Sequence, residues 1–243
     1  LRKNNKNNKK RPKVLDATND IQPNGMIYRN RLKPRTDNQK EYIRTVAENT
    51  ITFCQGVAGS GKTHIAVGMA LEHLLEEKVK KIVITRPVVE SGEKIGYLPG
   101  TAEEKLHPYL LPILDEICHF IPMSHYASLK LNNKIEIVPL GLMRGRNFHN
   151  SFIVADECQN ASYDQLKMLL TRIGNESKMV LTGDVSQSDL HRSMRGGFID
   201  LIGALYGVDQ IGISELFNQD IIRNPIIGKI LTRLDSYENR KPE

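Results

Sequence analysis

The chain of 243 residues contains no tryptophan, and its aromatic residues amount to only 6 %. That scarcity excludes an aromatic-rich basic stripe, the kind of surface on which unpaired bases stack. Cysteine is equally sparse. Cys54, Cys118 and Cys158 are odd in number and none stands at metal-ligand spacing, which argues against a disulfide framework or a structural zinc site and leaves them as small core residues. No apolar run approaches the ~18 residues that would cross a bilayer, and the basic N-terminus is not followed by the apolar stretch of a secretion signal. A soluble, cytoplasmic protein with no membrane partner is expected. No internal repeat is found.

The formal charge is +6, from 34 basic and 28 acidic residues. Seven of the basic ones, Arg2, Lys3, Lys6, Lys9, Lys10, Arg11 and Lys13, fall within residues 1–13, where there is no acid. The other 27 of the 34 nearly balance the 28 acids, so the body is close to neutral and the excess belongs to the arm. An Asn/Lys-rich arm cannot bury enough apolar area to fold alone and is expected to be disordered. Two roles suit it equally: an electrostatic grip on nucleic-acid phosphates, and a solubilising or cloning-derived tail.

With 40 % hydrophobic residues the chain can bury one core. Three regions are read: the arm at 1–13, an irregular extension at 14–36 with a turn at Pro23-Asn24-Gly25 and a short strand at 26–28, and a single core at 37–243. Apolar spacing in the core predicts strands at 50–54, 81–85, 135–138, 152–155, 178–182 and 210–213. Between them it predicts helices from 37 to about 47, through Ile65, Met69 and Leu74, and over 101–120, 162–173, 198–206 and 225–237. Capping boxes open two of these, at Thr101 with Glu104 and at Ser162 with Gln165. Pro108 and Pro112 are expected to kink or break the long helix. Alternating strands and helices give an α/β fold with a parallel sheet covered on both faces.

Gly56-Val57-Ala58-Gly59-Ser60-Gly61-Lys62-Thr63, followed by His64, fills every fixed place of G-x-x-x-x-G-K-[ST] between the first core strand and its helix. The glycines let backbone N–H groups turn inward around a β-phosphate, and the helix start adds unsatisfied donors and a positive dipole end. Lys62 supplies a point charge for the β and γ oxygens, and the Thr63 hydroxyl is a candidate Mg²⁺ ligand. A flexible Gly/Ser turn would account for the glycines but not for the order strand, loop, helix.

Asp156 and Glu157 directly follow four apolar strand residues, which aims both carboxylates at the carboxyl end of the sheet, where open α/β sheets bind ligands. Asp156 suits a metal held through water, and Glu157 suits orienting or deprotonating an attacking water. Alone, such a pair is a common acidic start to a helix. A further strand end carries Thr182-Gly183-Asp184-Val185-Ser186-Gln187-Ser188-Asp189, in which Asp184 and Gln187 are candidate γ-phosphate sensors or parts of a closing turn.

Taken in order, Gln39, the loop at 56–63, Thr85-Arg86-Pro87, Arg144-Gly145-Arg146, Asp156-Glu157-Cys158-Gln159-Asn160 and Gly183-Asp184 with Gln187 resemble the signature of PhoH-like proteins. Those are similar in turn to the first motor domain of superfamily 1 helicases. The resemblance covers about residues 30–235 and implies a RecA-like P-loop NTPase that uses ATP and Mg²⁺. It also implies that Gln39 reads the adenine edge, that Gln159 and Gln187 contact the γ-phosphate region, and that Arg86, with the loop 87–100, lies near bound RNA or single-stranded DNA. Arg144 and Arg146 join Arg86 as nucleic-acid candidates. Residues 217–225 resemble the family's C-terminal box, with Arg223 as arginine finger or sensor. Cys158 stands where the family usually has Ala, and Asn224 where it usually has His.

A superfamily 1 motor closes its site between two cores, and 56–243 has room for one. A finger must then come from a neighbouring copy, which implies a homo-oligomer such as a ring. Arg223 and Arg146 lead the finger candidates, followed by Arg144, Arg192 and Arg195. The expected function is Mg²⁺-dependent ATP hydrolysis coupled to binding or remodelling of RNA or single-stranded DNA. The alternatives are a nucleotide-switched binding protein with slow ATPase, and a P-loop kinase, which has no use for a water-activating Glu157. No N-K-x-D motif supports a GTPase.

Overall fold

The computed structural model describes residues 20–21, 27–87, 102–185, 187, 190, 196–221, 230, 233, 236 and 237, with backbone alone at 20, 21, 27 and 102–109. The basic arm, Thr101, the loop from 88, Arg192, Arg195, Arg223, Asn224 and most of the expected last helix lie outside the described residues.

A short antiparallel ladder, β1 (Asp20–Ile21) with β2 (Ile27–Tyr28), pairs Asp20 with Tyr28, and the expected turn at Pro23-Asn24-Gly25 lies outside the described residues. The core then alternates as read from its apolar spacing: α1 (Asp37–Glu48), β3 (Ile51–Gly56), α2 (Lys62–Leu75), β4 (Lys81–Arg86), α3 (Ala102–Phe120), α4 (Met123–Leu131), β5 (Ile135–Pro139), β6 (Ser151–Ala155), α5 (Tyr163–Leu170), β7 (Lys178–Gly183), α6 (Gly197–Ala204) and β8 (Ile211–Leu216). The six core strands form one sheet in the order β5-β4-β6-β7-β3-β8, every pairing parallel.

Because successive strand residues face opposite ways, the sheet has two apolar faces. Cys54, Ile82, Ile84, Phe152, Val154 and Val180 join the cluster under α1 to α4. Phe53, Val83, Ile153, Ala155, Met179 and Leu181 join the one under α5 and α6. Both faces of β6 are buried, which accounts for its unbroken apolar run before Asp156.

Four elements depart from the spacing-based reading. α3 runs continuously through Pro108 and Pro112 instead of breaking. The two prolines stand one turn apart on a single side of the helix, and Pro112 is exposed, so a carbonyl that loses its donor can be hydrated. Ile113, Ile117 and Phe120 meanwhile anchor the same helix in the core. α4 was not anticipated: it buries only Tyr126 and Leu129, too few apolar positions to show a period. β8 extends past Ile213 to Leu216 because Gly56 of β3 pairs with Leu216. α5 stops at Leu170, and its Ser162/Gln165 capping box is formed as read.

Candidate active site

The parallel sheet delivers the carboxyl ends of β3, β4, β6 and β7 to one edge of the molecule. The loop at 56–63 leaves β3 and enters α2 with Gly59 and Gly61 at φ of 79° and 94°, left-handed angles that glycine adopts without penalty. Gly61 is the N-cap of α2 and offers no side-chain acceptor, so the first-turn N–H groups face the loop's concavity. Ser60 is buried and closes the loop on itself, its hydroxyl donating to the Val57 carbonyl at 2.8 Å. The Lys62 ammonium donates to the carbonyls of Gly56 and Val57 at 2.6 and 2.9 Å. A cavity of about 390 Å³ opens over this loop, lined by Ala58, Gly59, Gly61, Lys62 and Thr63 below and by Lys33, Arg35, Gln39, His64 and Glu157 around it.

Gln39, buried near the start of α1, grips the loop from behind. Its Nε2 donates to the Ser60 carbonyl at 2.9 Å, and its Oε1 accepts from the Arg35 N–H at 2.9 Å. A second Nε2 bond reaches the Asp220 carbonyl at 3.5 Å, so of the amide's two donors and two acceptor lone pairs only one acceptor position on Oε1 is left toward the cavity that Gln39 lines. His64 sits on the cavity's α3 side, with Nδ1 2.9 Å from Glu116 and its ring 4.6 Å from Phe120 and 5.0 Å from His119.

Asp156 is almost fully buried, and two hydroxyls fix it. Oδ1 accepts from Thr63 at 2.6 Å and from Thr182 at 2.7 Å, tying the ends of α2, β6 and β7 together. Its Oδ2 lies 4.0 Å from Arg86 Nη1 at the end of β4. Glu157 takes a left-handed backbone, φ 56° and ψ 40°. Its carboxylate accepts from Gln159 Nε2 and lies 3.6 Å from Arg86 Nη2. Gln159 in turn accepts the Asp184 N–H at 3.0 Å, and the Gln187 N–H donates to the Asp184 carbonyl at 3.1 Å. Cys158 faces the interior, where burial above all, then the charges of Asp156 and Glu157, push its thiol well above the ordinary range, so it is an inert filler.

A hydroxyl that donates to a carboxylate still presents lone pairs, so Thr63 with Asp156 forms an all-oxygen pair suited to Mg²⁺. That ion keeps several waters and needs few protein ligands.

Lys62, Thr63, Asp156, Glu157, Gln159, Gln39 and Arg86 thus lie around one site. Arg146 goes elsewhere: it forms a bidentate pair with Glu136 at 2.6 and 2.7 Å and lies 4.8 Å over the Phe148 ring. Lys81 completes that cluster at 2.7 Å, and the Arg146 bonds foremost, against the opposing effect of burial, hold the Glu136 carboxyl at about 2. Arg144 is exposed beside Gly145. Two features of the site were not anticipated from the sequence: the hold of Thr182 on Asp156 and the approach of Arg86 to the carboxylates. Thr182 needed the knowledge that β7 lies beside β6. The approach of Arg86 to the carboxylates needed the knowledge that β4 flanks β6 on the other side.

A phosphate loop after β3 and an acid pair after β6, with one parallel strand between them, define a RecA-like P-loop NTPase. The family model for PhoH-like protein matches residues 31–235, and the chain belongs to that family. It is 42 % identical over 207 residues to a PhoH-like protein of Mycobacterium tuberculosis (strain ATCC 25618 / H37Rv), an alignment covering 85 % of this chain and 59 % of the relative. Against a PhoH-like protein of Bacillus subtilis (strain 168) the identity is 41 % over 204 residues, with 84 % and 64 % covered. The chain therefore spans less than two thirds of the length of these relatives. Among solved structures, the large terminase from a thermophilic bacteriophage matches with a TM-score of 0.50 at 9 % identity, over 83 % of this chain and 50 % of that one, a likeness of fold. Family and fold together support a nucleotide-binding ATPase. No helix among the described residues is long and apolar enough to cross a membrane.

Proposed function

We propose that the protein hydrolyses ATP with Mg²⁺ and couples hydrolysis to binding or remodelling of RNA or single-stranded DNA. The observation that carries the enzymatic half is the double hold on Asp156 Oδ1 by Thr63 and Thr182, which sets the acid pair against the phosphate loop. Loop N–H groups and Lys62 take the β- and γ-phosphates, and Gln39 meets the base. Thr63 and Asp156 would hold Mg²⁺, which would supply neutralisation of the phosphates' charge. Glu157 accepts the proton of the attacking water. Gln159 keeps that carboxylate oriented and, through Asp184, links it to the Gln187 segment.

The nucleic-acid half rests on family membership and on Arg86. That residue stands at the root of the segment beginning at Pro87 and faces both carboxylates, so a strand held there acts on Glu157 through one guanidinium. Hydrolysis is completed by an arginine finger, with Arg223 of a neighbouring copy the leading candidate. Such a finger is worth roughly 10³ to 10⁵ in rate, so the isolated monomer is a poor ATPase.

Phosphate release measured with and without RNA or single-stranded DNA tests the proposal on the wild type, Lys62→Ala and Glu157→Gln. Lys62→Ala loses nucleotide affinity, whereas Glu157→Gln binds ATP and leaves it uncleaved. A verified oligomer unaffected by either polymer points to a nucleotide-gated binding protein, and transfer of phosphate to an acceptor other than water points to a kinase.

A further inference from the structure

Residues 29–35 read Arg-Asn-Arg-Leu-Lys-Pro-Arg. In extended chain alternate residues share a side, and here Leu32 and Pro34 are half-buried while Arg31, Lys33 and Arg35 are exposed. The strap is firmly seated for an irregular segment. The Arg29 N–H donates to the Phe120 carbonyl and Asn30 Nδ2 to the His119 carbonyl, each at 2.7 Å, closing the end of α3. Leu32 packs on α2 at Gly68, where a Cβ would come within 3.0 Å of it, and the Arg35 N–H is held by Gln39.

Beneath the strap lies a second cavity of about 370 Å³. It shares Lys33, Arg35, His64 and His119 with the cavity over the phosphate loop, whereas Arg29 and Arg31 line the second alone. No carboxylate is among the described residues that line it; of the acids nearby, Glu116 pairs with His64 and Glu72 faces Arg31. Arg29, Lys33 and Arg35 make no ion pair among the described residues. Cations gathered unpaired around a concavity repel one another until an anion enters, and guanidinium forks match phosphate oxygens.

We propose that this second cavity binds a phosphate carried on the ribose of the nucleotide whose 5′-polyphosphate lies on the loop. The inference rests on the nucleotide reading of the loop. A nucleotide with its phosphates at Lys62 and its base at Gln39 would span the first cavity, and a phosphate on its ribose would reach the second past Lys33, Arg35, His64 and His119, the residues common to both. The ligand chemistry is a 2′- or 3′-phosphorylated nucleoside polyphosphate. The same 3′-phosphate occurs as a diester at the 5′-triphosphorylated end of an RNA strand.

Calorimetric titration separates these sources. One arm compares ADP with its 3′-phosphorylated and 2′-phosphorylated forms, and the other compares ATP with 5′-triphosphorylated ApA. The variants are Arg29→Ala and Arg29→Glu, since the bond of Arg29 to the Phe120 carbonyl of α3 is made by its backbone and survives both changes. The ribose phosphate tightens wild-type binding by about tenfold, the size of one charge-assisted hydrogen bond. Arg29→Ala removes that gain and Arg29→Glu turns it into a loss, while ADP and ATP bind all three proteins alike. The arm that shows the gain identifies the source. No gain in either arm, or a gain that survives both substitutions, overturns the proposal. Failure of ADP itself to bind the wild type defeats instead the nucleotide reading beneath it.

Discussion

Replacing Asp220 with alanine is expected to unfasten α1 from the turn that follows β8. This carboxylate is fully buried, and three donors converge on it: the Thr36 hydroxyl at 2.5 Å, the Phe217 N–H at 2.7 Å and Asn38 Nδ2 at 3.0 Å. Thr36 is also the N-cap of α1, its hydroxyl accepting from the Gln39 N–H at 3.2 Å. The same cluster therefore sets the base of the residue that grips the phosphate loop. A hydrogen bond to a charged group contributes about 1.5 to 3 kcal/mol. Thr36 and Asn38 are only half-buried and can turn to water, which lowers the loss to about 2 to 4 kcal/mol. For a chain of this size that corresponds to a fall of about 5 to 15 °C in melting temperature. Burial alone would raise the Asp220 carboxyl, but the Thr36, Phe217 and Asn38 donors outweigh it and hold the group below its ordinary value of 3.8. A carboxyl depressed in the folded state stabilises above its unfolded pKa, and the contribution fades as pH falls through the folded one. Asp220→Asn, which keeps the shape and removes the charge, should thus be clearly destabilising at pH 7 and progressively less so below about pH 4. Urea unfolding of both variants across that range provides the measurement. A cost below about 1 kcal/mol for alanine, or an asparagine penalty that does not depend on pH, would refute the reasoning.

Other outcomes follow from the same geometry. Thr182→Val removes one of the two hydroxyls on Asp156 while nearly preserving volume. Phosphate release should fall about 10- to 100-fold with a raised Mg²⁺ requirement, and an unchanged Mg²⁺ titration would deny Thr182 a positioning role. Gly56→Ala places a Cβ 2.5 Å from the Leu216 carbonyl oxygen, prising β3 from β8. The expected cost is about 1 to 3 kcal/mol in chemical denaturation. Glu136→Gln gives up a carboxyl held at about 2 by Arg146 foremost and by Lys81. Its stabilising effect is complete above the ordinary 4.5 and lost as pH falls toward 2, and solvent screening limits it to about 1 kcal/mol. Unfolding of the two proteins should therefore differ at pH 7 and converge near pH 2.

The phosphate loop and the acid pair were legible in the chain because their chemistry demands fixed residue types over a few consecutive positions. The strand that precedes each is as local, and so is the capping box at Ser162. Thr182 and Arg86 are different. Each stands in a stretch marked from the sequence, yet their approach to the acid pair appears only when the order β4-β6-β7 is known. Asp220 is hidden more thoroughly, since its hydroxyl partner Thr36 lies 184 positions away. Arg146 stands in a motif shared with the family, yet its guanidinium is engaged by Glu136, an edge-strand pairing that no pattern of adjacent residues foretells. Proline misled the reading of α3 because a local penalty was weighed without the three core side chains that outweigh it.

The left-handed turn of the main chain at Glu157 sets the interests of the fold against those of the reaction. That conformation costs an ordinary L-residue roughly 1 to 2 kcal/mol and costs glycine almost nothing. Selection for sturdiness alone would drift toward glycine here, exchanging the carboxylate proposed to activate water for a more durable protein. The acid at this position is a standing tax on thermal robustness, and heat-hardened lineages obtained without a demand for turnover should surrender it early.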